Sequence, residues 1–283
     1  MQKKKRISVP LILFVIAVVV IGFLVTMGNY LFALGATAVI LLLVLYWQWP
    51  NIQSMRGQTE YAKGNNTKAL SLLKKAHESS RSRTANSCAY AYILLRCGQA
   101  EEAAKVLNYV LLNQKLKTTE KLQARQILSL VRYKQGDFAE ATRLMEMVFE
   151  GYKNSSVYGA LGYYKILSNT PDAQAFNEEA YEYNADDKII IDNMVILYLK
   201  SGEFQRAKEL SDKSIDAGNK GVEIFYHAGQ AEQALGNKDK ALEYYKMASS
   251  CTRSFMTTVT EQEIETAIAA LEPERETEPE ADA

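Results

Sequence analysis

Histidine, cysteine and proline are scarce in this sequence, with two, three and five residues among 283. The two histidines, His77 and His227, are too far apart in the chain to suggest a shared metal or a catalytic base, so packing or surface placement is the plain reading of each. Cys88, Cys97 and Cys251 are odd in number and without CxxC spacing. That excludes a zinc ribbon and a disulfide framework, and fits three small apolar side chains in a reducing compartment. No P-loop, GxGxxG, HExxH, GxSxG or kinase set occurs. The adjacent carboxylates Glu178-Glu179 and Asp186-Asp187 do not face one another on a helix, which leaves no acid/base pair. No catalytic, cofactor-binding or metal-ligating residue is therefore expected, no small-molecule substrate is evident, and the chain is expected not to be an enzyme. Net charge is missing as well: 33 Lys and Arg balance 33 Asp and Glu. A nucleic-acid partner, which demands a concentrated basic face, is not expected.

What the sequence has in excess is apolar residues at one end. After MQKKKR, Ile7 to Met27 is a run of 21 uncharged residues, which as a helix spans roughly 31 Å and matches a hydrocarbon core of about 30 Å. Gly28 and Asn29 interrupt it. A second uncharged stretch, residues 30–49, closes on Tyr46, Trp47 and Trp49, rings that favour the headgroup region. A single helix over both would be twice the length a bilayer accommodates, so the pattern predicts a transmembrane hairpin of helices 7–27 and 30–49. Lys3, Lys4, Lys5 and Arg6 precede the first helix and Arg56, Lys63 and Lys68 follow the second, which keeps both flanks inside. Residues 51–118 carry 11 basic and 4 acidic residues, a net of +7, against 11 and 18 in residues 154–271, a net of −7. The basic end beside the apolar segment suits an anionic cytoplasmic leaflet. A cleaved signal peptide is the rival reading, against which the length of the apolar run counts. Gly22 and Thr26 form a small-xxx-small pair, either a packing device or incidental spacing.

Beyond residue 50 a nonapeptide recurs: YAKGNNTKA at 61, LRCGQAEEA at 95, YKQGDFAEA at 133, LKSGEFQRA at 199 and QALGNKDKA at 233. Gly64, Gly98, Gly136, Gly202 and Gly236 are spaced by 34, 38, 66 and 34 residues. The 66 is two periods, with Asn169 and Pro171 at the hidden turn. An alanine follows each glycine by five residues, at Ala69, Ala103, Ala141, Ala207 and Ala241. Apolar residues four further on keep one helical face.

This phased pattern, with Tyr158-x-x-Leu161-Gly162, resembles the tetratricopeptide repeat, a helix-turn-helix unit of 34 residues. The resemblance, which covers about residues 51 to 250, implies an α-solenoid of about six such repeats; with the transmembrane helical hairpin before it and a C-terminal capping helix after it, the chain is expected to be all-α. The expected boundaries are a basic cytoplasmic N-terminus at 1–6, the hairpin at 7–49, the array at 51–250, the cap at 255–271 and an acidic disordered tail at 272–283. Thr260-x-x-Glu263 supplies a capping box for the cap.

The resemblance also implies a concave groove lined by first helices. The family's groove positions fall on Tyr92, Gln126, Tyr133, Tyr163, Ile166, Leu199, Tyr226 and Gln230, although with 17 tyrosines in the chain each named ring could equally pack between helices. The expected function is a scaffold or adaptor at the cytoplasmic face of a membrane, as in a bacterial cytoplasmic membrane, binding a protein partner as a peptide or helix. The alternative is a structural or regulatory subunit that contacts a transporter or membrane enzyme through its transmembrane helices.

Overall fold

The computed structural model describes residues 9–272; the basic Lys3 to Arg6 and the acidic tail beyond Glu272 lie outside the described residues. Every element among the described residues is a helix, fourteen in all. The chain divides into two compact units, Met1–Cys97 and Gly98–Ala283.

The first unit holds α1 (Val9–Thr26), α2 (Tyr30–Ala62), α3 (Asn66–Glu78) and α4 (Thr84–Arg96). Gly28 turns the chain between α1 and α2 at a φ of 72°. Among the described residues α2 is the one helix long and apolar enough to cross a membrane. Its large apolar side chains are open, with Leu31 82% and Phe32 71% exposed. The apolar stretch closes at Trp49, but the helix that carries it runs on through Pro50 to Ala62. Proline removes one ladder bond and crowds the preceding turn, but the residues beyond it resume helix at once. The last three turns of α2 then act as the first helix of a helix pair with α3. An added Cβ at Gly57 would lie 2.7 Å from Leu73 Cγ, so the two helices touch where glycine leaves room. Asn86 Nδ2 donates to Asn51 Oδ1 at 3.0 Å and ties α4 to the same stretch.

The second unit runs through α5 (Ala100–Leu111), α6 (Thr118–Lys134), α7 (Phe138–Gly151), α8 (Ser155–Leu167), α9 (Ala173–Tyr183), α10 (Lys188–Ser201), α11 (Phe204–Asp216), α12 (Val222–Ala234), α13 (Lys238–Ser250) and α14 (Glu261–Ala269). Helices α6/α7, α8/α9, α10/α11 and α12/α13 pack as hairpins, and α10 lies between α8 and α12. The joint within α6/α7 shows how sequence makes the hairpin. Gly136 takes a φ of +80°; its N–H reaches Tyr133 O and that of Asp137 reaches Arg132 O, both at 3.0 Å. Asp137 Oδ1 then accepts from Glu140 N at 3.1 Å and starts α7. One left-handed residue thus satisfies the last carbonyls of one helix, and its neighbour caps the next.

Asn169, at a φ of 50°, makes the equivalent turn in α8/α9. That turn is longer, because Pro171 follows and α9 starts only at Ala173. Its pair is closed by a buried amide ladder: Asn177 Nδ2 donates to Gly162 O at 3.2 Å and Asn193 Nδ2 to Asn177 Oδ1 at 3.1 Å.

The cap α14 begins at Glu261, six residues later than the helix expected from 255. Thr260 fixes that start, accepting from Glu263 N at 3.2 Å while its own N–H donates to the Glu263 carboxylate. The β-branched run Thr257, Thr258 and Val259 before it lies outside any helix. Val259 and Ile264 are buried against Val222, Phe225, Tyr244 and Ala248 and so cover the core of the last pair.

Gly136 and Gly229 separate two different uses of glycine. A Cβ on Gly136 meets nothing within 4 Å, whereas one on Gly229 would lie 2.6 Å from the Tyr245 ring, which Gln233 holds by a 2.7 Å hydrogen bond. Gly136→Ala is expected to destabilise by about 1–2 kcal/mol through backbone strain, and Gly136→Asn by less, since Asn tolerates this conformation. Gly229→Ala is expected to cost about 1–3 kcal/mol through overpacking. Urea unfolding of the full chain in mild detergent, followed by circular dichroism, checks the order.

Candidate functional site

The first helices α6, α8, α10 and α12 expose one side of the second unit, and aromatic rings gather there because tyrosines end or interrupt their buried stripes. Tyr133 on α6 meets Tyr163 of α8 edge-on at 5.9 Å between centroids and stacks on Tyr164 at 5.3 Å. These rings border a cavity of about 300 Å³, whose further walls include Ile189 and Asp192 of α10, Glu223 of α12, and Met256 from the segment between α13 and α14. Burial pushes the phenols of Tyr133 and Tyr163 above their ordinary value; for Tyr163, hydrogen bonding with Thr258 and Tyr133 opposes the shift. Both stay neutral hydroxyls across the physiological range.

An open groove of about 700 Å³ lies further along, between Tyr226, Gln230 and Tyr245 on one side and Glu263, Thr266 and Ala267 of α14 on the other. Of the residues expected to line the groove, four fall in these two clusters. Tyr133 and Tyr163 come together in the first, and Tyr226 and Gln230 in the second. Gln126 and Leu199 line neither; Leu199 packs against the cluster of Ile191, Val195, Ala207 and Ile224. Ile166 is only 2% exposed and offers a partner no surface. Tyr92 belongs to the first unit, where its hydroxyl accepts from Arg96 Nη1 at 3.2 Å.

Behind the cavity lies a buried ion pair that joins α10 to α12. His227 and Asp192 are 8% and 9% exposed, and His227 Nδ1 donates to Asp192 Oδ1 at 2.7 Å. Burial alone would lower the imidazole's pKa, but the Asp192 carboxylate, aided by Glu223 and Glu263, outweighs it, and the net direction is up. His77 behaves in the opposite sense: burial lowers its pKa, and it meets Ser87 at 2.9 Å and stacks on Tyr90. Among the described residues no group of three or more His, Cys, Asp or Glu side chains could hold a metal.

A residue missed in the sequence is Lys165, 4% exposed at the heart of α8. Its ammonium reaches Glu146 at 2.7 Å and Asp172 at 2.8 Å, which ties α7, α8 and the start of α9 together. Burial opposes its charge, yet the two carboxylates win and the net shift is upward. The segment over Tyr133 and Tyr163 was also missed. Its loss of the glycine phase and its run of threonines were the available signal.

No family model matches this sequence, and no curated protein does. Solved structures do. A tetratricopeptide repeat protein from Parabacteroides merdae is 15% identical with a TM-score of 0.64, over 90% of this chain and 97% of that one. The PilF structure from Pseudomonas aeruginosa is 18% identical with a TM-score of 0.55, over 70% of this chain and 89% of that one. The Cut9–Hcn1 hetero-tetramer is 14% identical with a TM-score of 0.62, over 86% of this chain and 46% of the matched chain. The chain shares the fold of tetratricopeptide repeat proteins.

The His227–Asp192 pair predicts a pH dependence with a definite sign. A folded pKa above the unfolded value of about 6.5 means the protonated pair stabilises fully below that value and is lost as pH rises through the folded one. Urea midpoints should therefore fall from about pH 6.5 upward. His227→Gln should remove that part of the slope; the same slope in the variant would refute the assignment.

Proposed function

We propose that this chain is a membrane-anchored scaffold: α1 and the first part of α2 form a transmembrane hairpin, and the repeats capture a protein segment at the cytoplasmic face. The observation that carries the anchor is the row of exposed apolar side chains that runs from Val18 to Trp49 among the described residues. A patch of that extent on a water-soluble surface would promote association. At 18 residues α1 would span about 27 Å, and residues 30–49 of α2 about 30 Å, each close to a hydrocarbon core. Arg81 stacks over the Tyr46 ring at 3.6 Å, which suits an aromatic belt met by basic residues at the interface.

The scaffold reading rests on fold and surface. The Cut9–Hcn1 neighbour is a hetero-tetramer, an instance of this fold assembling with a second protein. Here the open features are tyrosine-walled cavities, and tyrosine gives a large apolar face with a polar tip at low entropic cost. A role as a subunit that meets a transporter or membrane enzyme through its helices is favoured instead by the same exposed apolar row. No catalytic step is assigned on either reading.

The topology predicts a cytoplasmic signal from a reporter fused after Ala283; a signal from the other side would overturn it. Photo-crosslinking groups placed in the full chain at Tyr163 and at Leu34 separate the two readings. Protein adducts from Tyr163 support capture by the repeats, and adducts from Leu34 alone favour the subunit role.

A further inference from the structure

Between α13 and α14 the chain does not simply step from one helix to the next. From Cys251 it runs across the exposed side of the first helices as far back as α6, three hairpins earlier. Lys134 Nζ, at the end of α6, stands 4.8 Å over the Phe255 ring. The Thr258 N–H donates to Glu223 Oε1 at 2.9 Å. Ser254, Met256, Thr257 and Thr258 close the cavity over Tyr133 and Tyr163. The strap holds its own bend, through Ser254 N to Thr257 Oγ1 at 2.9 Å and Met256 N to Ser254 Oγ at 3.1 Å. It covers the face without filling it, since the cavity of about 300 Å³ remains beneath and Met256 stays 52% exposed.

We infer that this face accepts a segment folded in a turn that bears an aromatic residue and, three positions on, a free backbone N–H, and that residues 253–258, whose own turn is closed by Thr257 N–H donating to Ser254 O at 3.1 Å, hold the site in cis until a partner segment of that kind displaces them. The inference rests on the reading of this side as the capture surface, and it gives that surface a specificity and a gate. The aromatic ring lies under the Lys134 ammonium, a cation–π pairing. The N–H meets the Glu223 carboxylate, a charge-assisted bond. The strap is tethered at both ends, by α13 and by Val259 and Ile264 in the core of the last pair. A weak contact therefore suffices to keep it in place, because a short tether supplies an effective concentration on the order of millimolar.

The test uses the full chain in mild detergent and a labelled peptide of its own residues 252–260, TRSFMTTVT. Phe255→Ala with Thr258→Pro removes the ring and the N–H from the strap. That variant is expected to bind the peptide at least tenfold more tightly than the unsubstituted chain, and a scrambled peptide should not bind. Equal affinity for both chains, or none for either, overturns the inference. A second measurement needs no variant: excess peptide should speed amide exchange across residues 253–258 of the unsubstituted chain and leave α10 unaffected, and unchanged exchange overturns it. The peptide is the chain's own sequence, so a failure to find an outside partner would not alter either result.

Discussion

A helix that must stop within a few residues and reverse direction leaves its last carbonyls without partners, and the array rests on how that demand is met. At Gly64, Gly98, Gly136, Gly202 and Gly236 the backbone takes a φ between 78° and 85°. At Gly64, Gly136, Gly202 and Gly236 this folds the glycine's own N–H and that of the next residue back onto the orphan carbonyls. Within each unit the hairpin is then short enough for the small residue five positions later to press against the first helix, and Ala69, Ala141, Ala207 and Ala241 are fully buried. Close approach in turn leaves no room for a Cβ at Gly57 or Gly229. The joint fixes the crossing of each pair, and the crossing decides which side chains face inward and which are left for a partner.

The continuity of α2 changes what the amino-terminal half can do. A loop between an apolar segment and a repeat would let the two reorient. An unbroken helix of 33 residues, about 50 Å long, instead makes the first repeat an extension of the apolar segment. The contacts of Gly57 with Leu73 and of Asn51 with Asn86 clamp that extension to α3 and α4. On the proposal that the apolar segment crosses a membrane, such a helix sets orientation as well as location.

Much of the hairpin architecture was legible because its causes are local. The glycine phase located five left-handed turns, and the substitution of Asn169 located a sixth. Asp137 and Thr260 were readable as caps, since a cap needs only its own side chain and an N–H three residues on. The longer turn after Asn169 was less legible, because Asn177 and Asn193 replace the usual apolar contact with hydrogen bonds visible only in three dimensions. Much of what was missed lies one period away. Asp192 and His227 are 35 residues apart, as are Glu223 and Thr258, while Gly159 and Asn193 are 34 apart. In a stacked array such residues are neighbours, so the period that reveals the fold also indexes its polar contacts. The extent of the strap was not legible, since nothing in its composition says how far back along the array it reaches.

The Thr258–Glu223 bond shows why the strap lies where it does. Its spacing of 35 residues continues that of Asp192 and His227, so the chain after α13 starts in register as a further first helix would. The β-branched run denies it helix, and after the turn that Ser254 and Thr257 close it lies across the face until Thr260 opens α14. The same bond constrains what the face can recognise. Of the two carboxylates beside the cavity, Asp192 is already engaged by His227 and Glu223 by a backbone amide. Tyr133 and Tyr163 remain neutral. A competing segment therefore meets a surface whose carboxylates are occupied, where a side-chain cation would have to displace an existing bond. A turn-forming backbone that replaces one N–H with another, and one ring with another, leaves the count of buried hydrogen bonds unchanged. Selectivity at such a site follows from shape and from the spacing between ring and amide, not from net charge.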